Sequence, residues 1–360
     1  MIYLLADLFE PYLRALNVLQ YLTVRAGGAM LTAFLLWLLV GPWFIATMRA
    51  WQKGGETVKA ILPHQGKAGT PGMGGVLVVG ALVLATLLWA NLLNGYVWLL
   101  LFLVLGFFAI GLADDYLNLT RRWKRGLPGK LRLLLGGLIA GAFVLGFVHV
   151  NGTAVATEIY FPFLKWLVVG LGVAGFVLFG VFVIVGTANA VNLTDGLDGL
   201  VSIPTVIVAI TLAILAYIMG RVDFTGYLHL PYIPGAGEIA VMAAALAGAM
   251  LGFLWYNAPP ARIFLGDTGS LPVGAMLGGI AVLTKQEFAL LIIGGLFVLE
   301  TVSVMLQVAS FKLTGKRIFK MAPLHHHFEQ HGWPESTIVV RFWIISLVLA
   351  LIGLATLKLR

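Results

Sequence analysis

Ten mostly apolar runs follow one another along this chain, at roughly 23–48, 73–93, 96–113, 133–150, 166–187, 199–219, 237–255, 271–284, 288–309 and 338–357. A helix rising ~1.5 Å per residue needs about 20 such residues to cross a hydrocarbon core. Inside lipid every backbone N–H and C=O must find its partner within the segment, which a helix achieves and an isolated strand does not. The runs therefore predict an all-α integral membrane protein of about ten transmembrane helices. So many spans leave only short loops in 360 residues, and residues 1–360 read as a single polytopic domain. Composition agrees, with 60% of residues hydrophobic and 11% charged, against about 25% charged in soluble domains.

Charge in the loops sets the direction of each span, because cytoplasmic loops carry the excess of Lys and Arg. Arg49, Lys53, Lys59 and Lys67 lie in the first loop, and Arg121, Arg122, Lys124, Arg125, Lys130 and Arg132 in the third. Arg262, Lys312, Lys316, Arg317, Lys320 and Arg341 follow on the same side, which then holds 16 of the 23 basic residues. That side is predicted to be cytoplasmic, with both termini periplasmic. Lys285, Gln286 and Glu287 alone separate the eighth and ninth runs. Merging those runs would move the Lys312 to Lys320 cluster outside, so the charge rule favours two helices and a tight turn.

The net charge of +8 is accounted for by this orientation signal, and nucleic acid is not an expected partner. The absence of cysteine excludes disulfides and thiolate metal sites, leaving oxygen or imidazole ligands for any metal. Met1 to Gln20 is broken by Asp7, Glu10, Pro11 and Arg14, which predicts an interfacial helix and no cleavable signal peptide. Gly137 and Gly141, with Gly136 and Ala140 beside them, form small-xxx-small pairs that let helices approach closely. The run Gly170 to Gly175 matches the dinucleotide fingerprint only by letters, since no strand is expected before it. No internal repeat supports an inverted-repeat transporter.

Five of the 15 acidic residues, Asp114, Asp115, Asp195, Asp198 and Asp267, fall at the ends of apolar runs on the cytoplasmic side. Carboxylates beside hydrocarbon cost a few kcal/mol or more, so a cluster there calls for water, a cation or a chemical task. Asp114 and Asp115 end the third run at a helix C-terminus, where the macrodipole disfavours acids. Neighbours on a helix point about 100° apart, which suggests separate roles, one on a cation and one on a proton. The alternative is a pair of solvated acids balanced by Arg121 and Arg122.

Asn189-Ala190-Val191-Asn192-Leu193-Thr194-Asp195-Gly196-Leu197-Asp198-Gly199 joins the fifth and sixth runs. It carries more polar groups than a turn needs, and these suit a sugar, base or phosphate. Phe264-Leu265-Gly266-Asp267-Thr268-Gly269-Ser270 precedes the eighth run, where Asp267 is either a further ligand or a plain helix cap. Lys67-Ala68-Gly69-Thr70-Pro71-Gly72-Met73-Gly74-Gly75 offers a base and backbone amides to an anion without the Walker A order. In Met321-Ala322-Pro323-Leu324-His325-His326-His327-Phe328, three consecutive histidines cannot converge on one ion, and phosphate contact is the better reading. Glu300, Ser303 and Gln307 form one polar stripe facing the interior. Together these segments put carboxylates, bases and amides at one membrane face. Magnesium bridging phosphate oxygens fits that set, and with it phosphoryl transfer between a lipid phosphate and a soluble nucleotide.

Gly111-Leu112-Ala113-Asp114-Asp115-Tyr116, the Asn189 to Gly199 run, Phe264-Leu265-Gly266-Asp267 and the Met-Ala-Pro-Leu-triple-His run closely resemble the bacterial phospho-N-acetylmuramoyl-pentapeptide transferase family. The carboxylate motifs are shared with the wider polyprenyl-phosphate N-acetylhexosamine-1-phosphate transferase superfamily; the triple histidine marks the muramoyl branch. Gly72 stands where that family's Thr-Pro-Thr-Met-Gly-Gly run has threonine. The resemblance implies ten spans in the bacterial plasma membrane, commonly a homodimer, and a cytoplasmic active site. It further implies transfer of phospho-MurNAc-pentapeptide from UDP-MurNAc-pentapeptide to undecaprenyl phosphate with Mg²⁺, giving lipid I and UMP.

Carried over by motif, Asp267 would bind Mg²⁺, and Asp114 and Asp115 would supply the base or lipid-phosphate environment, with His325 joining the catalytic set. Asn189, Asn192, Asp195 and Asp198 would line the nucleotide site, and Phe264 would stack on uracil. Lys67, Lys130, His325 and His326 would contact phosphates or sugar, and Thr70, Asn257 and Gln307 complete the substrate contacts. A sister enzyme passing phospho-GlcNAc to a polyprenyl phosphate would use the same acids. A cation-coupled transporter would instead place its acids near the bilayer midplane.

Overall fold

The computed structural model describes residues 1–3, 14–52, 69–120, 126–164 and 166–358. A 3₁₀ segment, Arg14–Gln20, leads into α1 (Leu22–Gln52), followed by α2 (Gly75–Trp89), α3 (Gly95–Leu119) and α4 (Gly129–Asn151). A two-stranded antiparallel ribbon, β1 (Glu158–Tyr160) and β2 (Val168–Gly170), pairs Ile159 with Val169. Then come α5 (Gly172–Thr194), α6 (Ser202–Met219), the short α7 (Val222–Leu228), α8 (Gly237–Asn257) and α9 (Asp267–Leu283). The chain ends with α10 (Glu287–Ile293), α11 (Gly295–Thr314), α12 (Leu324–Glu329) and α13 (Glu335–Ala355).

Eight of these helices, α1, α3, α4, α5, α6, α8, α11 and α13, are long and apolar enough to cross a membrane; α2 and α9 are shorter apolar helices. Their outward faces are apolar too. Leu299, Met305 and Phe311 on α11, with Ile344, Leu347 and Leu351 on α13, are exposed, as side chains bordering lipid must be.

The core is organised around α9, in which every residue from Thr268 to Leu283 is buried. α9 packs chiefly against α5 and α3, while α8 packs against α1 and α6. Lipid tails are as apolar as leucine, so close van der Waals packing between small residues holds such helices together. Gly111 of α3 shows how tight this is: a Cβ there would lie 2.1 Å from the Asp267 carbonyl oxygen.

The end of the bundle remote from the five aspartates is fixed by buried ion pairs. Arg25 of α1 grips Glu238 of α8 with two 2.6 Å contacts, and the Asn91 amide donates to the same carboxylate at 2.9 Å. Lys285, fully buried, lies 3.3 Å from Glu287 and over the Phe176 ring at 3.6 Å.

Several sequence-based boundaries move. The run at 166–187 is not helical at its start, because Val168–Gly170 pairs as a strand and α5 begins at Gly172, whose φ of +64° turns the chain. Asn189 and Asn192 lie in the last turns of α5 rather than in a loop. The run at 288–309 is broken at Gly294 into α10 and α11, while the turn before it, through Lys285 and Gln286, is present as expected. The triple histidine occupies a helical turn, α12. Of Met1 to Gln20, residues 4–13 lie outside the described residues.

Candidate active site at one end of the bundle

Asp114, Asp115 and Asp267 each present a carboxylate oxygen within 4.8 Å of the others. The first two come from the last turns of α3 and the third opens α9. α2 and α9 start side by side, because Gly74 and Gly75 donate their amides to the carbonyls of Phe264 and Leu265 at 2.8 and 2.9 Å. α3 runs on from Asp114 to Leu119, roughly 7 Å further at the helical rise. The acids therefore sit where α3 nears its end and α9 begins.

Each carboxylate has its own set of partners. Asp115 accepts the amides of Asp267 and Thr268 at 3.3 and 2.9 Å, so it caps α9 from a neighbouring helix, where an anion is favoured by the macrodipole. Asp267 takes 2.7 Å from Arg132 on one oxygen and 2.6 Å from Asn192 on the other. Asn192 also donates to Ser270 at 2.8 Å, tying α5 to α9. Asp114 accepts the Leu127 amide at 2.7 Å and the Asn118 side chain at 3.1 Å. The geometry gives these acids different partners, while one oxygen of each lies within 4.8 Å of the others. Helix capping, the alternative reading of Asp267, falls to Asp115.

The loop after α5 brings the remaining acids to the same end. Burial first, then the carboxylates of Asp267, Asp115 and Asp198, push Asp195 up to about 7. Asp198 accepts the Ala261 amide at 3.0 Å. Asn257 braces this loop, taking the Gly199 amide at 2.8 Å and donating to the Ile263 carbonyl at 2.9 Å.

Among the described residues, the three clustered acids make one ion pair, that of Asp267 with Arg132. Three carboxylates against one guanidinium leave negative charge in excess, and an all-oxygen donor set suits a hard divalent cation such as Mg²⁺.

Comparison with known proteins decides the family. A model of glycosyl transferase family 4 matches residues 97–285. Two curated relatives, from Rhodopseudomonas palustris strains BisA53 and BisB18, are each 52% identical over the full length of both chains, and both are named phospho-N-acetylmuramoyl-pentapeptide-transferase. The chain belongs to that family.

The other residues singled out from the sequence have the following places. Asn189 donates to the Val185 carbonyl of its own helix at 2.8 Å. Phe264 is half-buried in the irregular segment before α9, its carbonyl accepting the Gly74 amide. Thr70 reaches the Ala261 carbonyl at 3.4 Å. Lys130 is exposed at the start of α4, two residues before the arginine that does pair with Asp267. Lys67 lies outside the described residues. Gln307 spends both ends of its amide on the 318–319 backbone, accepting from Ile318 and Phe319 at 3.0 Å and donating to the Phe319 carbonyl at 2.9 Å. His326 lies 2.9 Å from Glu329, and His327 takes the Lys320 amide at 3.1 Å. His325 is buried.

Sequence reasoning passes over Arg132 and Asn118 as site residues. Arg132 reads as one of six bases in a loop, and only its place one turn into α4 aims it at the acids. Asn118 lies four residues after Asp114, a spacing that puts both on one helix face.

Proposed function

We propose that this chain transfers phospho-N-acetylmuramoyl-pentapeptide from UDP-MurNAc-pentapeptide to undecaprenyl phosphate, forming lipid I and releasing UMP, with Mg²⁺. The observation that carries this reading is the Asp114, Asp115 and Asp267 cluster, braced by Arg132 and Asn192, in a chain of that family. The ten apolar helices correspond to ten spans, with both termini periplasmic and the site on the cytoplasmic side of the bacterial plasma membrane. A homodimer is the proposed assembly.

Asp267, with Asp114 and Asp115, would hold Mg²⁺, which when bound offsets charge gathering on the diphosphate. Arg132 and Asn192 fix the Asp267 carboxylate, so the donor set needs no reorganisation during transfer. Asp195, Asp198, Asn189 and Asn192 line the nucleotide site, Phe264 stacks on the base, and Asn257 and Gln307 hold the surrounding loops in place. Lys67, Thr70, Lys130, His325 and His326 contact phosphate or sugar. The lipid phosphate is already ionised near neutral pH, so it attacks the sugar-bearing phosphorus directly. The phosphorus–oxygen bond to UMP breaks, and UMP leaves with the electron pair.

UMP release from purified protein with both substrates tests the reading, with and without Mg²⁺ and in Asp267→Asn. Turnover should require the metal and fall by roughly 10²-fold or more in the variant. Full activity of Asp267→Asn, or turnover of UDP-GlcNAc in place of the peptidyl donor, would overturn it. UMP formed stoichiometrically without lipid, alongside a trapped acyl phosphate, would replace direct displacement by a two-step route.

A further inference from the structure

Glu300, on the polar stripe of α11, is fully buried, and so is His325 of α12. Glu300 Oε1 accepts the His325 amide at 3.3 Å. The same oxygen lies 3.2 Å from His325 Nδ1, close enough for an ion pair though off the line of a hydrogen bond. Among the described residues, Glu300 Oε2 and His325 Nε2 have no hydrogen-bond partner. The imidazole edge bearing Nε2 instead faces Gly196, where a Cβ would come within 2.2 Å of that nitrogen. Gly196 sits between Asp195 and Leu197, in the loop that carries the site's other acids.

Apolar packing surrounds this arrangement. Leu197 and Leu200 of the loop, Leu296 of α11, and Ile338, Val339 and Phe342 of α13 form a separate core, with Leu324 and Phe328 of α12 packed against it. A charged carboxylate and an imidazole are costly to bury unless each serves the other. A carboxylate at one ring nitrogen of a histidine fixes its tautomer and orientation and so determines what the other nitrogen offers.

We propose that Glu300 is a positioning residue for His325, holding Nδ1 and the backbone amide so that Nε2 is presented across Gly196 to the phosphate or sugar of the donor. The inference rests on the reading of His325 as a donor contact, and Glu300 itself touches no substrate.

A double-mutant cycle on UMP release, with melting temperatures alongside, tests this. Glu300→Gln should lower kcat by about ten- to a hundredfold with little change in KM for the donor, and Glu300→Asp should recover part of the loss. In a His325→Gln background, Glu300→Gln should cost nothing further, because two residues acting as one unit are non-additive. Additive losses, or wild-type kcat in Glu300→Gln beside an inactive His325→Gln, would overturn the proposal and leave the His325 reading intact. Wild-type turnover in His325→Gln would defeat that reading and the proposal together. Selective ¹⁵N-histidine labelling of the unmodified protein gives a readout independent of variant folding. It should show His325 protonated at Nδ1, and a lone pair on Nδ1 would overturn the proposal.

Discussion

Asp267 is the residue on which the site turns, because its two oxygens are claimed by groups from two different helices. Arg132 lies 2.7 Å away and competes with any cation for the same carboxylate, since opposite charges at that separation attract strongly in a partly buried site. Arg132→Gln should therefore bind divalent metal more tightly while turning over more slowly, its Asp267 no longer held in place. Mg²⁺-dependent melting of wild type and variant measures this, and weaker binding in Arg132→Gln would mean that the arginine acts by orientation alone. Asp195 supplies a pH test. Its carboxyl is pushed up to about 7 in the fold from an ordinary value of 3.8, so its anion is the disfavoured form in the native state. At pH below both values it is protonated folded and unfolded and contributes nothing. The destabilisation grows as pH rises above the unfolded value and is complete above about 7. Asp195→Asn, without metal, should accordingly melt higher than wild type at about pH 8 and equally at about pH 3. A gain of the same size at both would exclude the charge as its cause. The acids themselves were legible in the sequence because carboxylates at the ends of apolar runs are conspicuous. Arg132 was not, since six bases in one loop look alike until the helix start is known.

At the scale of elements, the central device is a short helix packed closely against its neighbours. Gly111 lets α3 touch the first residue of α9, and a Cβ there would meet the Asp267 carbonyl oxygen at 2.1 Å. Gly111→Ala should cost about 1–3 kcal/mol through overpacking and also lower activity by moving Asp267. Normal turnover in a stable Gly111→Ala protein would show that the contact can relax. At the far end, Lys285 and Glu287 are both fully buried 3.3 Å apart. Removing one partner leaves a buried charge, so Lys285→Met should destabilise by about 3–5 kcal/mol and leave kcat unchanged where the protein is folded. The pair Lys285→Met with Glu287→Gln should regain most of that stability, and failure to do so would assign the cost to packing. Periodicity finds helices well but cannot separate a β-branched apolar run from the start of a helix. That is why the strand at Val168–Gly170 read as part of the fifth run. Nor does hydropathy register the break at Gly294, where two glycines interrupt an otherwise apolar stretch.

For the whole molecule, chain direction does most of the positioning. α3 and α5 end where α4, α6 and α9 begin, so loops far apart in sequence are gathered at one end of the bundle, and that end carries the acids. Alternation of direction from one apolar run to the next was enough to anticipate this gathering. What it could not supply is how the helix starts are paired. Two short helices, α2 and α9, start beside each other at this end, joined by the Gly74 and Gly75 amides. The central claim is that the three aspartates share one divalent ion. Electron paramagnetic resonance of Mn²⁺ added to the purified protein tests it most directly. A single bound ion per chain is the result expected for wild type, displaced by Mg²⁺ and lost in Asp267→Asn. Equal Mn²⁺ binding in Asp267→Asn, or none in wild type, would contradict the account.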